Sequence, residues 1–334
     1  MTIKKNYLLL FMLGALALGY GSARLVRDNI SAGVGEEAEG QSSQAATGNE
    51  AASQSGEEAS DGGTSTSEIG DTQNAGSYTT TKVTYAELPS GPLQFNLIKP
   101  SSGSNFPVVI WIHGGGFGPG GLNAAKGFED DFTGEGYAIA ALAYRSMLDG
   151  LFPTQIEDVK GAVRFLRSES AALDIDPNRI YLLGASSGGL LSSLAGVTGD
   201  ELYVGTTGGN ESFSSEVAGV VDLFGSVTKN TLDTLSPTII PTTYELFGCQ
   251  TNTSCPDRAK LPIDNYISGD DPPFLIIHGA NDETVPYEGS VELQALLSAS
   301  GVEATLLTGE GYGHDKDGLI ALYFAEIISF LDGH

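Results

Sequence analysis

The chain has 334 residues, with 42 acidic and 16 basic side chains, and its formal net charge is −26 at pH 7. Such a charge repels phosphate backbones and anionic membrane surfaces, which excludes nucleic acid and anionic lipid as partners. The four histidines and two cysteines show no spacing typical of metal ligands, so no metal and no other cofactor is predicted.

Residues 1–23 have the pattern of a secretory signal peptide, with two lysines, an apolar run and a small-residue Gly-Ser-Ala site. The apolar run is shorter than the about 20 residues that span a bilayer. Arg24 and Arg27 are unusual immediately after a cleavage site, so an uncleaved N-terminal anchor is the alternative. Both interpretations predict an exported protein, secreted or periplasmic, with no membrane contact except through this segment.

Residues 24–77 are predicted to be a disordered acidic linker rich in Ser, Gly and Glu. From residue 31 to residue 77 there is no Lys or Arg and hardly any large apolar side chain. Such a sequence cannot bury enough apolar surface to offset the entropy of ordering. Residues 78–334 are long enough for one α/β domain with a sizeable core.

This domain alternates strand-like and helix-like patterns. The predicted order is strands over 79–86, 92–98, 107–112 and 137–143, a helix over 154–171, strand 179–183, a helix from near Gly188, strand 217–224, strand 273–278, helix 287–300, strand 303–308 and helix 317–331. The first two strands are expected to form an antiparallel pair. The alternation predicts a mostly parallel central sheet with helices on both faces, with catalytic loops at the carboxyl ends of its strands. Residues 226–268 are an irregular insertion, whose length is typical of a lid or a binding segment.

The turn after strand 179–183 reads Gly-Ala-Ser-Ser-Gly, with Ser186 at its centre. In G-x-S-x-G a sharp strand-to-helix turn lifts the serine hydroxyl above the sheet, where a base can reach it. Ser187 could compete as the nucleophile, but only Ser186 has glycine both two residues before and two residues after it. Ordinary turns share the motif, so the prediction depends on the partners of the serine.

A serine nucleophile needs a histidine that accepts its proton and an acid that orients the histidine. With this motif the chain order is serine, acid, histidine. His113 precedes the serine, His278 ends an apolar strand, and His334 lies at the C-terminal end, which is expected to fray. His314 remains, in a glycine-punctuated loop between strand 303–308 and the last helix, and is predicted to be the base.

Asp282 is the predicted acid, because it follows strand 273–278 and precedes the histidine in the chain. Glu283 is adjacent, and Asp222 follows the earlier strand 217–224, after which some hydrolases carry their acid. Asp315 and Asp317 are too close in sequence to the base to orient it. The choice between Asp282 and Asp222 stays open at this point.

Strand 107–112 ends in His113 and three glycines, which is typical of an oxyanion loop. Its backbone N–H groups can turn towards the oxygen that becomes negative in acyl transfer. The predicted donors are the amides of Gly115 and Gly116, together with the amide of Ser187. A phosphate-binding loop is the alternative, and it is disfavoured because no Lys-Ser or Lys-Thr follows and no G-x-G-x-x-G precedes a helix.

These motifs resemble the esterase branch of the α/β-hydrolases that is related to hormone-sensitive lipase, and especially bacterial acyl esterases allied to acetyl-xylan and feruloyl esterases. The resemblance covers residues 80–332 and rests on the stretches 108–117, 143–145, 152–167, 176–180, 184–189, 272–279 and 311–314. It implies an α/β-hydrolase fold with Ser186, Asp282 and His314 as a catalytic triad. The family usually has alanine after the nucleophile, then Gly-Gly-His, whereas this chain has Ser187 and Leu190 at those places.

The predicted function is therefore hydrolysis of carboxylic esters through an acyl-enzyme, with a short acyl group and a small-molecule or carbohydrate ester as substrate. A lipase for longer chains, a prolyl-oligopeptidase-like peptidase and an inactive binding protein are the alternatives. Phe117, Tyr144 and Tyr312 are candidates for lining the substrate pocket, with core packing as the alternative interpretation.

Cys249 and Cys255 lie close together in a polar loop. In an exported chain they are expected to close a small disulfide loop, and two free thiols are the alternative.

Overall fold

The computed structural model describes residues 69–334 with the exception of Asn252. The predicted signal or anchor over 1–23 and most of the predicted linker over 24–77 lie outside the described residues. Within 69–334, no helix has both the length and the hydropathy needed to cross a bilayer.

One sheet contains all the strands of the described residues. They are β1 (Ile69–Asn74), β2 (Tyr78–Leu88), β3 (Gly91–Pro100), β4 (Phe106–Ile112), β5 (Ala138–Leu142), β6 (Ile175–Ala185), β7 (Gly219–Leu223), β8 (Phe274–Gly279) and β9 (Ala304–Gly309). Their spatial order is β1-β2-β3-β5-β4-β6-β7-β8-β9. The first three strands are antiparallel to their neighbours, and the other six run parallel. The predicted antiparallel opening pair and the mostly parallel sheet are confirmed.

The helices connect these strands and cover the sheet. They are α1 (Glu129–Gly134), α2 (Thr154–Ser168), α3 (Ser170–Leu173), α4 (Ser187–Val197), α5 (Ile240–Glu245), α6 (Tyr287–Ala299) and α7 (Lys316–Gly333), with short 3-10 turns over Pro256–Lys260 and Ile263–Asn265. The apolar sides of α2, α4 and α6 pack on one face, and those of α1 and α7 pack on the other. This is the predicted arrangement of helices on both faces.

Strand β4 shows why the sheet is buried on both sides. Val108, Ile110 and Ile112 point into the core beneath one face, whereas Val109 and Trp111 point into the core beneath the other. Consecutive strand residues point to opposite faces, so a continuous apolar run is what a strand covered by helices requires. β5 and β6 lie on opposite sides of β4. The order in which strands are added to the sheet therefore reverses at β4, since β5 is added on one side of it and β6 on the other. Open α/β sheets bind ligands at the carboxyl edge of such a position.

The folded part extends further towards the N-terminus than residue 78. Ile69–Asn74 form β1, which pairs antiparallel with β2, although the sequence places this stretch in the linker. Every residue of β1 is exposed, so the strand adds main-chain hydrogen bonds without adding core. A prediction from apolar pattern alone has no signal for such an edge strand.

Candidate active site

Ser186 sits at the turn between β6 and α4, at the carboxyl edge of the sheet. Its φ of 57° and ψ of −123° lie outside the regions that ordinary residues occupy. Its N–H donates to the carbonyl oxygen of Leu223 at the end of β7 (2.9 Å). Strain of this kind costs about 1–3 kcal/mol and persists only where the surroundings impose it. The turn is the sharp strand-to-helix connection predicted from G-x-S-x-G.

The glycines around the serine allow β4, β6 and α4 to meet closely. A Cβ atom at Gly188 would lie 2.0 Å from the carbonyl oxygen of Ile112, and one at Gly184 would lie 2.2 Å from that of Gly188. No side chain fits at such distances, so only glycine permits α4 to start directly against the end of β4. This contact brings Ser186 beside the His113–Gly116 loop.

His314 and Asp282 come together from two loops at the same edge. His314 Nδ1 lies 2.7 Å from Asp282 Oδ2. The ring of Phe224 packs against the imidazole, with 4.3 Å between ring centroids. No hydrogen bond joins Ser186 Oγ to His314 in the described part of the chain, and such contacts are often long before a substrate binds.

Asp282 is surrounded by donors on both carboxylate oxygens. Oδ1 accepts the N–H groups of Thr284 (2.7 Å) and Val285 (3.0 Å), while Oδ2 faces His314 and, at 3.2 Å, Nε2 of His278. Burial alone opposes ionisation, but the hydrogen bonds from the two histidines outweigh it and hold the pKa of Asp282 well below its ordinary value. Asp282 is therefore a carboxylate that can orient His314 and stabilise its positive charge.

Asp222, the alternative acid, makes a different set of contacts. Its Oδ2 accepts hydrogen bonds from the hydroxyls of Ser193 (3.1 Å) and Ser226 (2.8 Å), and its Oδ1 accepts the N–H of Gly225 (2.7 Å). Burial raises its pKa. Asp222 has no hydrogen bond to His314, so the geometry favours Asp282. Asp315, which the sequence excluded, caps α7 by accepting from the N–H of Gly318 (3.1 Å).

The loop after β4 passes directly over the start of α4. Gly115 has a φ of 106°, which side-chain-bearing residues rarely adopt. The N–H of Phe117 donates to Ser187 Oγ (3.2 Å), which ties the loop to the nucleophile turn. Within the described residues, the amides of Gly115, Gly116 and Ser187 have no hydrogen-bond partner in the protein. They are available as donors to a bound oxygen.

An apolar pocket opens beside Ser186. Gly116, Phe117 and Ser187 also line it, and its apolar wall is formed by Leu190, Val227, Leu235, Ile239, Leu261 and Val285. Its volume is about 20 Å³, room for one or two water-sized groups. This wall has no signal in the sequence, because most of its residues come from the 226–268 insertion and meet only in the folded chain.

Of the three predicted substrate-lining aromatics, only Phe117 lines the pocket. Tyr144 is buried, stacks on His113 with 4.4 Å between ring centroids, and donates its hydroxyl to the carbonyl oxygen of His113 (2.9 Å). Tyr312 packs against the core on the other face of the sheet. The structure thus places Tyr144 and Tyr312 outside the pocket, in agreement with the alternative interpretation as packing residues.

The 226–268 insertion is folded and lines one side of the pocket. It contains α5 and both 3-10 turns, and several of its leucines are buried in the core. Cys249 and Cys255 form a disulfide within it, as the sequence predicted for an exported chain. Arg258 crosses its interior and donates to Asp233 Oδ1 (2.5 Å), to Thr243 Oγ1 (2.7 Å) and to the carbonyl oxygen of Leu232 (2.9 Å).

Replacing Arg258 by methionine is expected to lower the free energy of unfolding by about 2 kcal/mol. Methionine keeps the apolar stem but leaves the buried Thr243 hydroxyl and Leu232 carbonyl without their charged donor. Urea unfolding followed by circular dichroism measures the change. Arg179→Met is the matched control, since its ion pair with Asp176 is exposed and its loss should cost less than about 0.5 kcal/mol. Equal effects of the two variants would contradict the role given to Arg258.

Known proteins share this architecture. A carbohydrate esterase from gut microbiota, solved in truncated form, superposes with a TM-score of 0.68 at 30% sequence identity, and the match covers 79% of this chain and 99% of that one. An acetyl ester-xyloside bifunctional hydrolase from Caldicellulosiruptor lactoaceticus superposes with a TM-score of 0.60 at 23% identity, covering 74% of this chain and 90% of the other. These likenesses confirm the α/β-hydrolase fold.

Among curated sequences, the esterase LipC of Mycobacterium tuberculosis is 27% identical over 251 residues, which is 70% of this chain and 59% of LipC. The chain spans about half the length of the curated relatives that it matches. A family model described as BD-FAE matches residues 95–297. This match covers more than half of the chain and includes the nucleophile turn, the oxyanion loop and Asp282. The resemblance seen in the motifs is thereby confirmed, and the chain belongs to the BD-FAE family of α/β-hydrolases.

Proposed function

We propose that the chain is a serine carboxylesterase in which Ser186 is the nucleophile, His314 the base and Asp282 the acid. The hydrogen bond between His314 Nδ1 and Asp282 Oδ2 carries the proposal. It fixes the tautomer that leaves Nε2 free to accept a proton, at the sheet edge where Ser186 occupies its strained turn.

The reaction begins when Ser186 Oγ attacks the ester carbonyl and His314 Nε2 accepts the hydroxyl proton. The carbonyl oxygen becomes an oxyanion, which the amides of Gly115, Gly116 and Ser187 stabilise by about 3 kcal/mol each. His314 then gives its proton to the departing alcohol, which leaves an acyl-enzyme. Water, activated by the same histidine, releases the acid and restores Ser186.

The pocket beside Ser186 favours a short acyl group. Its volume of about 20 Å³ and its apolar wall suit an acetyl or a similarly small group. The alcohol portion of the ester is proposed to be a carbohydrate, since the structural neighbour that is 30% identical is described as a carbohydrate esterase. Lipase and peptidase activities are the alternatives that the assay must separate.

Export is part of the proposal. The Cys249–Cys255 disulfide supports it, because disulfides form and persist mainly in oxidising compartments outside the cytosol. An exported enzyme also has direct access to polymeric carbohydrate esters.

Hydrolysis of p-nitrophenyl esters from acetate to palmitate, followed by acetylated xylan, tests this function. We expect the highest kcat/KM with acetate, a steady fall as the acyl chain lengthens, and release of acetate from the polymer. A fluorophosphonate probe should label the protein, which separates an active hydrolase from an inactive binding protein. A maximum at long chains would establish a lipase. Labelling without ester turnover, but with cleavage of peptides, would establish a peptidase.

A further inference from the structure

A chain of buried polar groups continues from Asp282 beneath the active site. Its first member is His278 at the end of β8, which has no exposed surface. His278 Nε2 lies 3.2 Å from Asp282 Oδ2 and 3.1 Å from the carbonyl oxygen of Val285. Both of these atoms only accept hydrogen bonds, so Nε2 must carry a hydrogen. The N–H of Nε2 is hydrogen-bonded to the Val285 carbonyl oxygen and lies beside the same carboxylate oxygen that holds His314.

The other ring nitrogen connects to a second carboxyl group through two serines. His278 Nδ1 lies 2.6 Å from Ser290 Oγ, which lies 2.9 Å from Ser226 Oγ, which lies 2.8 Å from Asp222 Oδ2. All four side chains have no exposed surface. Bulk water therefore does not reach these four side chains. Their own hydrogens must supply the hydrogen bonds that join them.

Each serine has a single hydrogen, so the hydrogen bonds between Asp222 and His278 all point in one direction. If they point towards Asp222, that group is a carboxylate and His278 carries hydrogens on both nitrogens. If they point towards His278, the proton resides on Asp222 and His278 is neutral, with its hydrogen on Nε2. In the structure Ser290 donates to Ser226 and Ser226 donates to Asp222 Oδ2, which is the first arrangement. In both arrangements Nε2 keeps its hydrogen, bonded to the Val285 carbonyl oxygen and beside Oδ2 of Asp282.

We propose that His278 is a positioning residue for the Asp282–His314 pair, held as an Nε2–H donor by a two-serine relay that shares one proton with Asp222. The proposal rests on the proposed function only in treating that pair as catalytic. The N–H of His278 Nε2, held 3.2 Å from Oδ2 of Asp282, favours one orientation of that carboxylate, so that His314 keeps its tautomer. The ionisable groups that face His278 are Asp222 from β7, Asp282 from the loop after β8 and Tyr287 from α6.

Two substitutions separate positioning from packing. His278→Leu fills the space without a donor and is expected to lower kcat about a hundredfold, with KM unchanged. A loss of this size is typical when a residue that orients a functional side chain is removed. His278→Gln keeps an N–H donor near the position of Nε2 and should lose less than about tenfold. In His278→Leu the acid limb of kcat/KM should move to higher pH, because Asp282 then directs its whole charge at His314. Equal losses in the two variants and an unmoved acid limb would leave only a structural role.

Nitrogen-15 NMR of histidine-labelled protein tests the relay without reference to activity, and its decisive measurement uses the wild-type protein. The chain has four histidines, so the His278 signals can be assigned. We expect Nε2 of His278 to carry a hydrogen in the wild-type protein, and the Nδ1 signal to change in Ser290→Ala. A wild-type His278 that carries its only hydrogen on Nδ1 would overturn the proposal. A protein that shows the expected tautomer but hydrolyses no ester would instead refute the proposed function and leave the relay intact.

Discussion

Replacing Ser186 by alanine is expected to lower kcat for a short p-nitrophenyl ester by about 10⁶-fold, the size of loss seen when the nucleophile of a serine triad is removed. The substitution removes only the hydroxyl group, and no acyl-enzyme can form without its oxygen. The oxyanion loop and the pocket remain, so a residual acceleration of about 10³-fold over water is expected. Initial rates at saturating p-nitrophenyl acetate measure the loss, and mass spectrometry should find no acyl adduct.

Ser187→Ala is the control that resolves the competition between the two serines. The variant keeps the Ser187 amide but removes the acceptor of the Phe117 N–H. Since only the loop that carries Gly115 and Gly116 loosens, we expect a loss of about tenfold or less, in line with about 1 kcal/mol for one hydrogen bond. If Ser187→Ala were the inactive variant and Ser186→Ala the active one, the nucleophile would be Ser187.

The sequence predicted the nucleophile turn and the oxyanion loop because both are local. Gly184, Gly188 and Gly114 reflect close backbone approaches near the strand ends, whereas Gly115 and Gly116 adopt positive φ angles. The strands could be placed for the same reason, since apolar runs such as 107–112 indicate burial on both faces. The parallel topology then required these strand ends to meet at one edge.

Features that depend on distant contacts could not be predicted. The pocket wall joins Leu190 of α4 to Val227 and Leu261 of the insertion, and nothing in the local sequence pairs them. Tyr144 was a candidate for lining the pocket, but its hydroxyl donates to the buried carbonyl oxygen of His113 instead. His278 was interpreted as a strand-end residue. The one available signal was its spacing of four residues before Asp282, which brings both side chains to the same strand end.

Asp282→Asn is expected to lower kcat about 10⁴-fold, because the amide enforces the wrong histidine tautomer. The surrounding contacts decide how the amide is oriented. Oδ1 accepts the N–H groups of Thr284 and Val285, so the oxygen of the asparagine must stay at that position. Its NH₂ group then faces His314 Nδ1, where it donates a hydrogen bond and leaves the proton of His314 on Nε2. Nε2 can no longer accept the proton of Ser186.

Asp222→Asn is the matched control for this substitution, since it replaces the other buried carboxyl group by the same carboxamide. Asp222 reaches Asp282 only through Ser226, Ser290 and His278, so its effect should not exceed about tenfold. The pH dependence of kcat/KM should also differ between the variants, because only Asp282 contacts the base directly. A loss near 10⁴-fold in Asp222→Asn, with Asp282→Asn near wild type, would transfer the role of the acid to Asp222. Comparable large losses in both would mean that the relay contributes to catalysis as strongly as the acid does, because the hydrogen bonds that join the two carboxyl groups would then act as a single unit.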